Sequence, residues 1–220
     1  MEKKIDYKEL YEIQDVFFDI VFRLENTFYL TGGTALHRFY YNYRYSDDLD
    51  LFTTADPLFG EYIKEITGKL AELKLPYQYT VNSRDFHRLV INGLLQVDLV
   101  NDRVFRDGIS VIQGAIRIDN IRNILSNKIS AIIGRDEEKD IFDLFSIAFH
   151  EKFSWPDIMT VVNKKSQTDV NTLAQRVRSF PLSWLRNIKS TKNELLISEK
   201  DVFNLCEDIL NERANSLVKY

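Results

Sequence analysis

Leu10, Ile13, Phe17, Val21 and Leu24 recur at three- and four-residue steps. That period places them on one side of a helix, so residues near 6–25 read as an amphipathic helix. Phe28-Tyr29-Leu30 is a short β-like run that ends at Gly32-Gly33, and Thr34 to Tyr41 reads as helix. From Asp48 to Phe52 polar and apolar residues alternate, as in a strand with one buried face. Residues 58–73 are helical again in pattern. Tyr77–Val81, Phe86–Ile91 and Leu94–Val100 are then short β-type runs. Asn82-Ser83-Arg84-Asp85 separates the first two, and Asn92-Gly93, a strong hairpin signal, separates the last two. Residues 111–118 offer one more strand. Asp119 or Asn120 is suited to cap a helix through Ile133, with further helices near 138–149, 156–164, 168–178 and 198–217. The pattern predicts an α+β domain over 1–118 and an all-helical domain over 119–220. No internal repeat or low-complexity tract is visible.

Composition narrows this picture. With 220 residues, 45% hydrophobic and 28% charged, the chain has the make-up of a folded globular protein. Fifteen Phe and 11 Tyr supply ample core material, while 8 Gly and 4 Pro leave little for long loops. The single cysteine, Cys206, excludes an internal disulfide and all but excludes a cysteine zinc site, which fits a reducing, cytoplasmic setting. Met1-Glu2-Lys3-Lys4-Ile5-Asp6 shows no apolar signal core, and no stretch approaches the roughly 18 uncharged apolar residues of a membrane span. A net charge of −4 argues against coating nucleic acid by bulk electrostatics but leaves room for a local basic groove.

The candidate chemistry lies in carboxylates. Asp48 and Asp50 are two apart on a predicted strand and leave the same face. Asp98 sits between Val97 and Leu99 in the most strand-like run of the chain, a costly place for an acid that has neither partner nor metal. Carboxylates about 4 Å apart repel by roughly 4 kcal/mol at an effective dielectric of about 20. Three converging on one point require a cation, and hard oxygen donors suit Mg²⁺ or Mn²⁺. A solvated strand face with Asp98 at a turn is the bland alternative. Thr31-Gly32-Gly33-Thr34 stands between a strand and a helix, where glycines admit a phosphate to free N–H groups or simply allow a tight turn.

Gly32-Gly33-Thr34-Ala35-Leu36 followed by Arg44-Tyr45-Ser46-Asp47-Asp48-Leu49-Asp50-Leu51-Phe52 resembles the signature of the AbiEii/AbiGii-type toxins, members of the polymerase β-like nucleotidyltransferase superfamily. Lys128-Ile129-Ser130-Ala131, Arg135 and Lys139-Asp140-Ile141-Phe142-Asp143-Leu144 resemble its later block. The likeness spans about residues 30–145. It implies a polymerase β-like core with a mixed sheet, followed by a helical half that completes the active-site cleft. It implies transfer from an NTP to an acceptor such as a tRNA 3′ end or a protein hydroxyl, and a toxin held by a cognate antitoxin in a toxin–antitoxin or phage-defence pair. Carried over by position, Asp48, Asp50 and Asp98 would bind the metals, with Asp98 nearest the attacking hydroxyl. Gly32, Gly33, Thr34, Arg44, Ser46, Lys128, Arg135 and Asp140 would attend the nucleotide, and Lys128 would take part in catalysis.

Lys128 and Arg135, seven apart, return to one helix face, where they could neutralise a leaving pyrophosphate or join an ion-pair set with Lys139, Asp140 and Asp143. Asp140 is suited to position Lys128 or the nucleotide, and Asp143 to a structural task. His37, His87 and His150 lack metal-ligand spacing. Between Arg176 and Lys192, basic residues with Phe180 and Trp184 read as a solvated helix face over a core Trp, with RNA contact the alternative. Two other functions compete: an Asp-x-Asp glycosyltransferase using Mn²⁺, and a non-catalytic nucleotide-binding module. The glycine turn and the third Asp oppose the first. The retention of all three carboxylates opposes the second.

Overall fold

A computed structural model describes residues 5–220. Residues 1–4 of the Met1–Asp6 stretch, expected to lack an apolar signal core, lie outside the described residues. Two compact units emerge. The first takes the described part of Met1–Ala35 with Ser46–Val104 and Ile109–Asp119. The second takes Asn120–Tyr220 and also Leu36–Tyr45 and Phe105–Gly108, segments that the sequence pattern groups with the front half.

The first unit is built on a seven-stranded sheet in the order β3-β4-β5-β2-β1-β7-β6. The strands are β1 (Tyr29–Thr31), β2 (Asp48–Thr54), β3 (Tyr77–Asn82), β4 (Phe86–Ile91), β5 (Leu95–Asp102), β6 (Val111–Gln113) and β7 (Ile116–Ile118). β2 and β5 run parallel, as do β1 and β7, while the other pairs are antiparallel, so the sheet is mixed. The expected single strand over 111–118 is a small hairpin. Gly114 at φ +61° turns the chain between its halves, where a continuous strand would leave that glycine unused. Asn92 and Gly93, both at positive φ, make the turn between β4 and β5.

Alternation sets the faces of the sheet. Leu49, Leu51, Leu89, Val97 and Leu99 are fully buried on one face, and Asp48, Asp50, Gln96 and Asp98 take the other. Helix α1 (Tyr7–Arg23) opens on an Asp6 cap that accepts the N–H of Lys8 and of Glu9. It packs with α3 (Phe59–Glu72) and β5, burying Leu10, Phe17 and Val21. Burying each such side chain contributes about 1.5–3 kcal/mol.

β1 leads directly into α2 (Gly32–Ala35), which widens into a π turn over Leu36–Tyr40. The expected helix over 34–41 is thus present but starts two residues earlier.

The second unit is helical: α4 (Ile121–Gly134), α5 (Glu138–Ala148), α6 (Trp155–Asn163), α7 (Val170–Ser179) and α8 (Glu199–Leu210). Asn120 caps α4 through the N–H of Asn123. Every residue from Asp140 to Ala148 is buried, which makes α5 the core helix of this unit. The last helix stops short of the expected residue 217, where Glu212 turns at φ +50°. No helix among the described residues is long and apolar enough to cross a membrane.

Candidate active site

In the sheet unit, β2 and β5 pair in parallel register with Asp50 opposite Asp98 and Asp48 opposite Gln96. Opposed residues share a face, on strands about 4.8 Å apart. Antiparallel pairing extends the same row on both sides, with Arg88 opposite Asp98 and Thr31 opposite Asp50. The row therefore reads Arg88, Asp98, Asp50, Thr31, with Asp48 one step along β2. Arg88 grips both oxygens of Asp98, Nε donating to Oδ1 and Nη2 to Oδ2, each at 2.7 Å. Hydrogen bonding to Asp98 leads the effects that hold the guanidinium above its ordinary range, and the charges of Asp98, Asp48 and Asp50 add to it. The Thr31 hydroxyl donates to Asp119 Oδ2 at 2.9 Å in the buried interior.

Gly32 has φ +70°, and a Cβ there would land on the Asp50 carboxylate. The backbone angle favours glycine by itself, and the Asp50 side chain leaves no room for a Cβ unless it shifts, so glycine is called for whether or not a phosphate approaches. Gly33 and Thr34 are buried in the turn that follows. The Thr34 hydroxyl donates to the Asp48 carbonyl and ties the turn to β2. Ser46 is fixed by α1: its N–H donates to Tyr11 Oη at 3.2 Å, and its carbonyl accepts Gln14 Nε2 at 3.2 Å. Gly32→Ala is expected to destabilise the protein by about 1–3 kcal/mol, combining left-handed strain with displacement of Asp50. In Gly32→Ala/Asp50→Ala the displacement part should vanish, so the two losses should fall short of adding. Thermal denaturation of the three variants checks this, and strict additivity would contradict it.

The donors suit a hard divalent cation in kind, being carboxylates set side by side on one face. Their arrangement is another matter. Asp98 is engaged by Arg88, and among the described residues no group of three His, Cys, Asp or Glu side chains is placed so that it could hold a metal ion.

In the helical unit, Arg44, Lys128, Arg135, Asp140 and Asp143 come together. Asp143, on α5 and fully buried, receives Arg44 Nε at 2.7 Å on Oδ1 and Nη2 at 2.8 Å on Oδ2. Lys128 Nζ on α4 lies 2.7 Å from Asp143 and 2.9 Å from Asp140. Arg135, where α4 ends, donates to the other oxygen of Asp140 at 2.7 Å. Two acids on a core helix need such partners, because isolated buried charges are too costly. Burial alone would depress Lys128, but Asp143 and Asp140 hold it above its usual range. Burial alone would raise Asp143, yet Arg44 and Lys128 keep it well below the usual carboxylate range.

His37 completes this cluster. Its Nδ1 accepts the Tyr43 N–H at 3.4 Å and its Nε2 lies 2.8 Å from Asp143, a pair that one neutral tautomer satisfies. Burial pushes its pKa below the ordinary 6.5, against the pull of Asp143. The unfolded chain therefore binds a proton near pH 6.5 that the folded chain refuses, so stability falls as pH drops through that value, by at most about 1.4 kcal/mol per pH unit. His87, also lowered by burial, acts in the same sense in the sheet unit. Urea midpoints between pH 8 and 5 should decline in wild type and less in His37→Gln. Parallel declines would show that His37 is not the group titrating.

The aromatic run before Arg44 serves this unit too. Tyr41 stacks on His150 with ring centres 4.4 Å apart, and the Tyr43 hydroxyl lies 3.2 Å from His150 Nε2. Further on, Arg176 donates to the Ile132 carbonyl at 2.9 Å and pairs with Asp136 at 3.0 Å. The expected core Trp is a correction: Trp184 is 44% exposed in a 3₁₀ turn over Leu182–Asn187, whose three-residue period does not repeat the helical spacing that its neighbours suggested.

Arg88 and His37 were not singled out from sequence. Arg88 had no signal that suffices: counting outward from a two-residue Asn92-Gly93 turn sets it opposite Val97, and it meets Asp98 because Leu94 joins the loop and shifts the register by one. His37 had none, because its partner lies 106 residues away.

The profile of the family described as nucleotidyl transferase AbiEii toxin, type IV TA system, matches residues 18–201. Among solved structures, MenT4, a nucleotidyltransferase toxin from Mycobacterium tuberculosis, is similar at a TM-score of 0.63 and 12% identity, over 94% of this chain and 84% of that one. The JHP933 protein of Helicobacter pylori is similar at a TM-score of 0.52 and 16% identity, over 79% and 73%. At such identities these likenesses speak for the fold alone, a mixed sheet with helices. No curated protein sequence matches.

Proposed function

The chain belongs to the AbiEii nucleotidyltransferase toxin family, and from that premise we propose that it moves a nucleotide from an NTP onto an RNA end, such as a tRNA 3′ terminus, in the cytoplasm, as a toxin restrained by a cognate antitoxin. The observation that supports this reading best is the in-register row of Asp98 and Asp50 with Asp48 beside them, packed against the glycine at the strand-to-helix turn. In this proposal Asp48, Asp50 and Asp98 are the residues that would hold divalent cations, Mg²⁺ or Mn²⁺, once Asp98 is released by Arg88. Such ions, when bound, neutralise phosphate charge and lower the pKa of the attacking hydroxyl. By its position in the family's pattern, Asp98 would be the acid nearest that hydroxyl. Gly32, Gly33 and Thr34 form the turn that would receive the phosphates, Ser46 is carried over from the family beside them, and Gly32 leaves room for Asp50. Lys128, Arg135, Asp140 and Arg44 are carried over from the family as residues attending the nucleotide.

Incubating the purified protein with each labelled NTP and total RNA, followed by denaturing electrophoresis, tests the transfer. Label on an RNA 3′ end is expected. Label on protein alone would move the acceptor to a protein hydroxyl, and no incorporation would sink the reading. Expression in bacteria without a partner is expected to slow growth, and Asp48→Ala to relieve it. Equal harm from both chains would point to binding in place of catalysis.

A further inference from the structure

The two halves of the site face have opposite charge, and they already touch. Arg88 engages both oxygens of Asp98 in the planar two-point geometry that only arginine provides. The pair is half-shielded, with Asp98 14% and Arg88 36% exposed, so bulk water screens it less than a surface pair. Phe86, two residues before on the same face of β4, supports the guanidinium, whose Cζ is 5.5 Å from the ring centre. Asp50 lies on the far side of Asp98 in the same row. A positive charge thus sits beside the carboxylates where a cation would otherwise balance them.

We propose that Arg88 is a positioning residue for nucleotidyl transfer, holding Asp98 in place of a divalent cation and yielding it when the ion binds. The proposal rests on the reading of Asp48, Asp50 and Asp98 as cation ligands. Two consequences follow from charge alone. Without an ion, Arg88 offsets the repulsion among the three acids and stabilises the sheet unit. With an ion, Arg88 is a like charge a few ångströms away and competes for the same oxygens, so it sets the affinity of the site. A guanidinium stays protonated at any physiological pH, so the exchange is governed by the ion and not by a proton.

The test is Mn²⁺ binding to the nucleotide-free protein, followed by electron paramagnetic resonance, together with thermal unfolding with and without Mn²⁺. Arg88→Met is expected to unfold at lower temperature than wild type without the ion. It should also bind Mn²⁺ about tenfold more tightly, as loss of a neighbouring like charge requires. Its melting temperature should accordingly rise more on adding Mn²⁺. Arg88→Lys, which keeps the charge but loses the two-point grip, should bind Mn²⁺ with an affinity between the two, and it serves if Arg88→Met folds poorly. Mn²⁺ affinity unchanged or weakened in both Arg88 variants, with Asp50→Asn still weaker than wild type, would overturn the role of Arg88 and leave the carboxylate reading standing. Mn²⁺ affinity as high in Asp50→Asn and Asp98→Asn as in wild type would remove the carboxylate reading and the proposal with it.

Discussion

Asp50→Asn is expected to lower nucleotide transfer by roughly 10²–10³-fold, the scale of losing one preorganised electrostatic group, while the protein stays folded. Asp50 sits between Asp98 and Thr31 in the row and against Gly32, so the amide keeps the shape of the site and removes only charge. Losing one acid among three also relieves repulsion, so the melting temperature should hold or rise. Label transfer from NTP, measured beside thermal denaturation, separates the two effects. Full activity in this variant would remove Asp50 from the chemistry. A lost fold would mean that its task is packing.

Asp143→Ala is expected to have the largest effect on stability, about 3–5 kcal/mol, because it strands buried charge. Asp143 is fully buried and meets Arg44, Lys128 and His37 at 2.7–2.8 Å. Without it, Arg44 keeps no carboxylate among these contacts, and Lys128 keeps only Asp140. Arg135→Ala should cost far less, about 0–1 kcal/mol, because the Arg135 side chain is 52% exposed. Both tryptophans, Trp155 and Trp184, lie in the helical unit, so their fluorescence during urea unfolding reports on that unit alone. Equal midpoints for the two variants would show that Asp143 is not the centre of the cluster. The same cluster complicates any reading of Lys128 by simple deletion, since Lys128→Ala leaves two buried acids short of a cation. A transfer assay on that variant is informative only beside its unfolding curve.

The sheet was legible in the sequence where structure is local. Alternation along Asp48–Phe52 and Leu95–Val100 has the two-residue period of a strand, so it fixes which side chains share a face before any partner strand is known. The Asn92-Gly93 turn marks β4 and β5 as an antiparallel hairpin, but Leu94 joins the loop and sets Ile91 opposite Leu95, a register that the two turn residues alone do not give. In the same way the sequence offered Asp119 or Asn120 as the start of α4, and Asn120 is the cap, its side chain accepting an N–H only three residues away. The resemblance to a known family added the chemistry that such periods cannot show.

What lay beyond the sequence is what joins distant positions. Asp50 paired with Asp98 requires a parallel crossover, which no local period encodes. Gly32 looked like a phosphate turn, yet it also has the Asp50 carboxylate where a Cβ would sit, a contact visible only once β1 and β2 pair. Lys128, Arg135 and Asp140 could be grouped from helical spacing, but not the partners that join them at Asp143. Arg44 and His37 reach that residue across 99 and 106 positions of chain. A buried acid must find its cations wherever packing brings them, and packing of the whole unit, not the pattern around the acid, decides which they are.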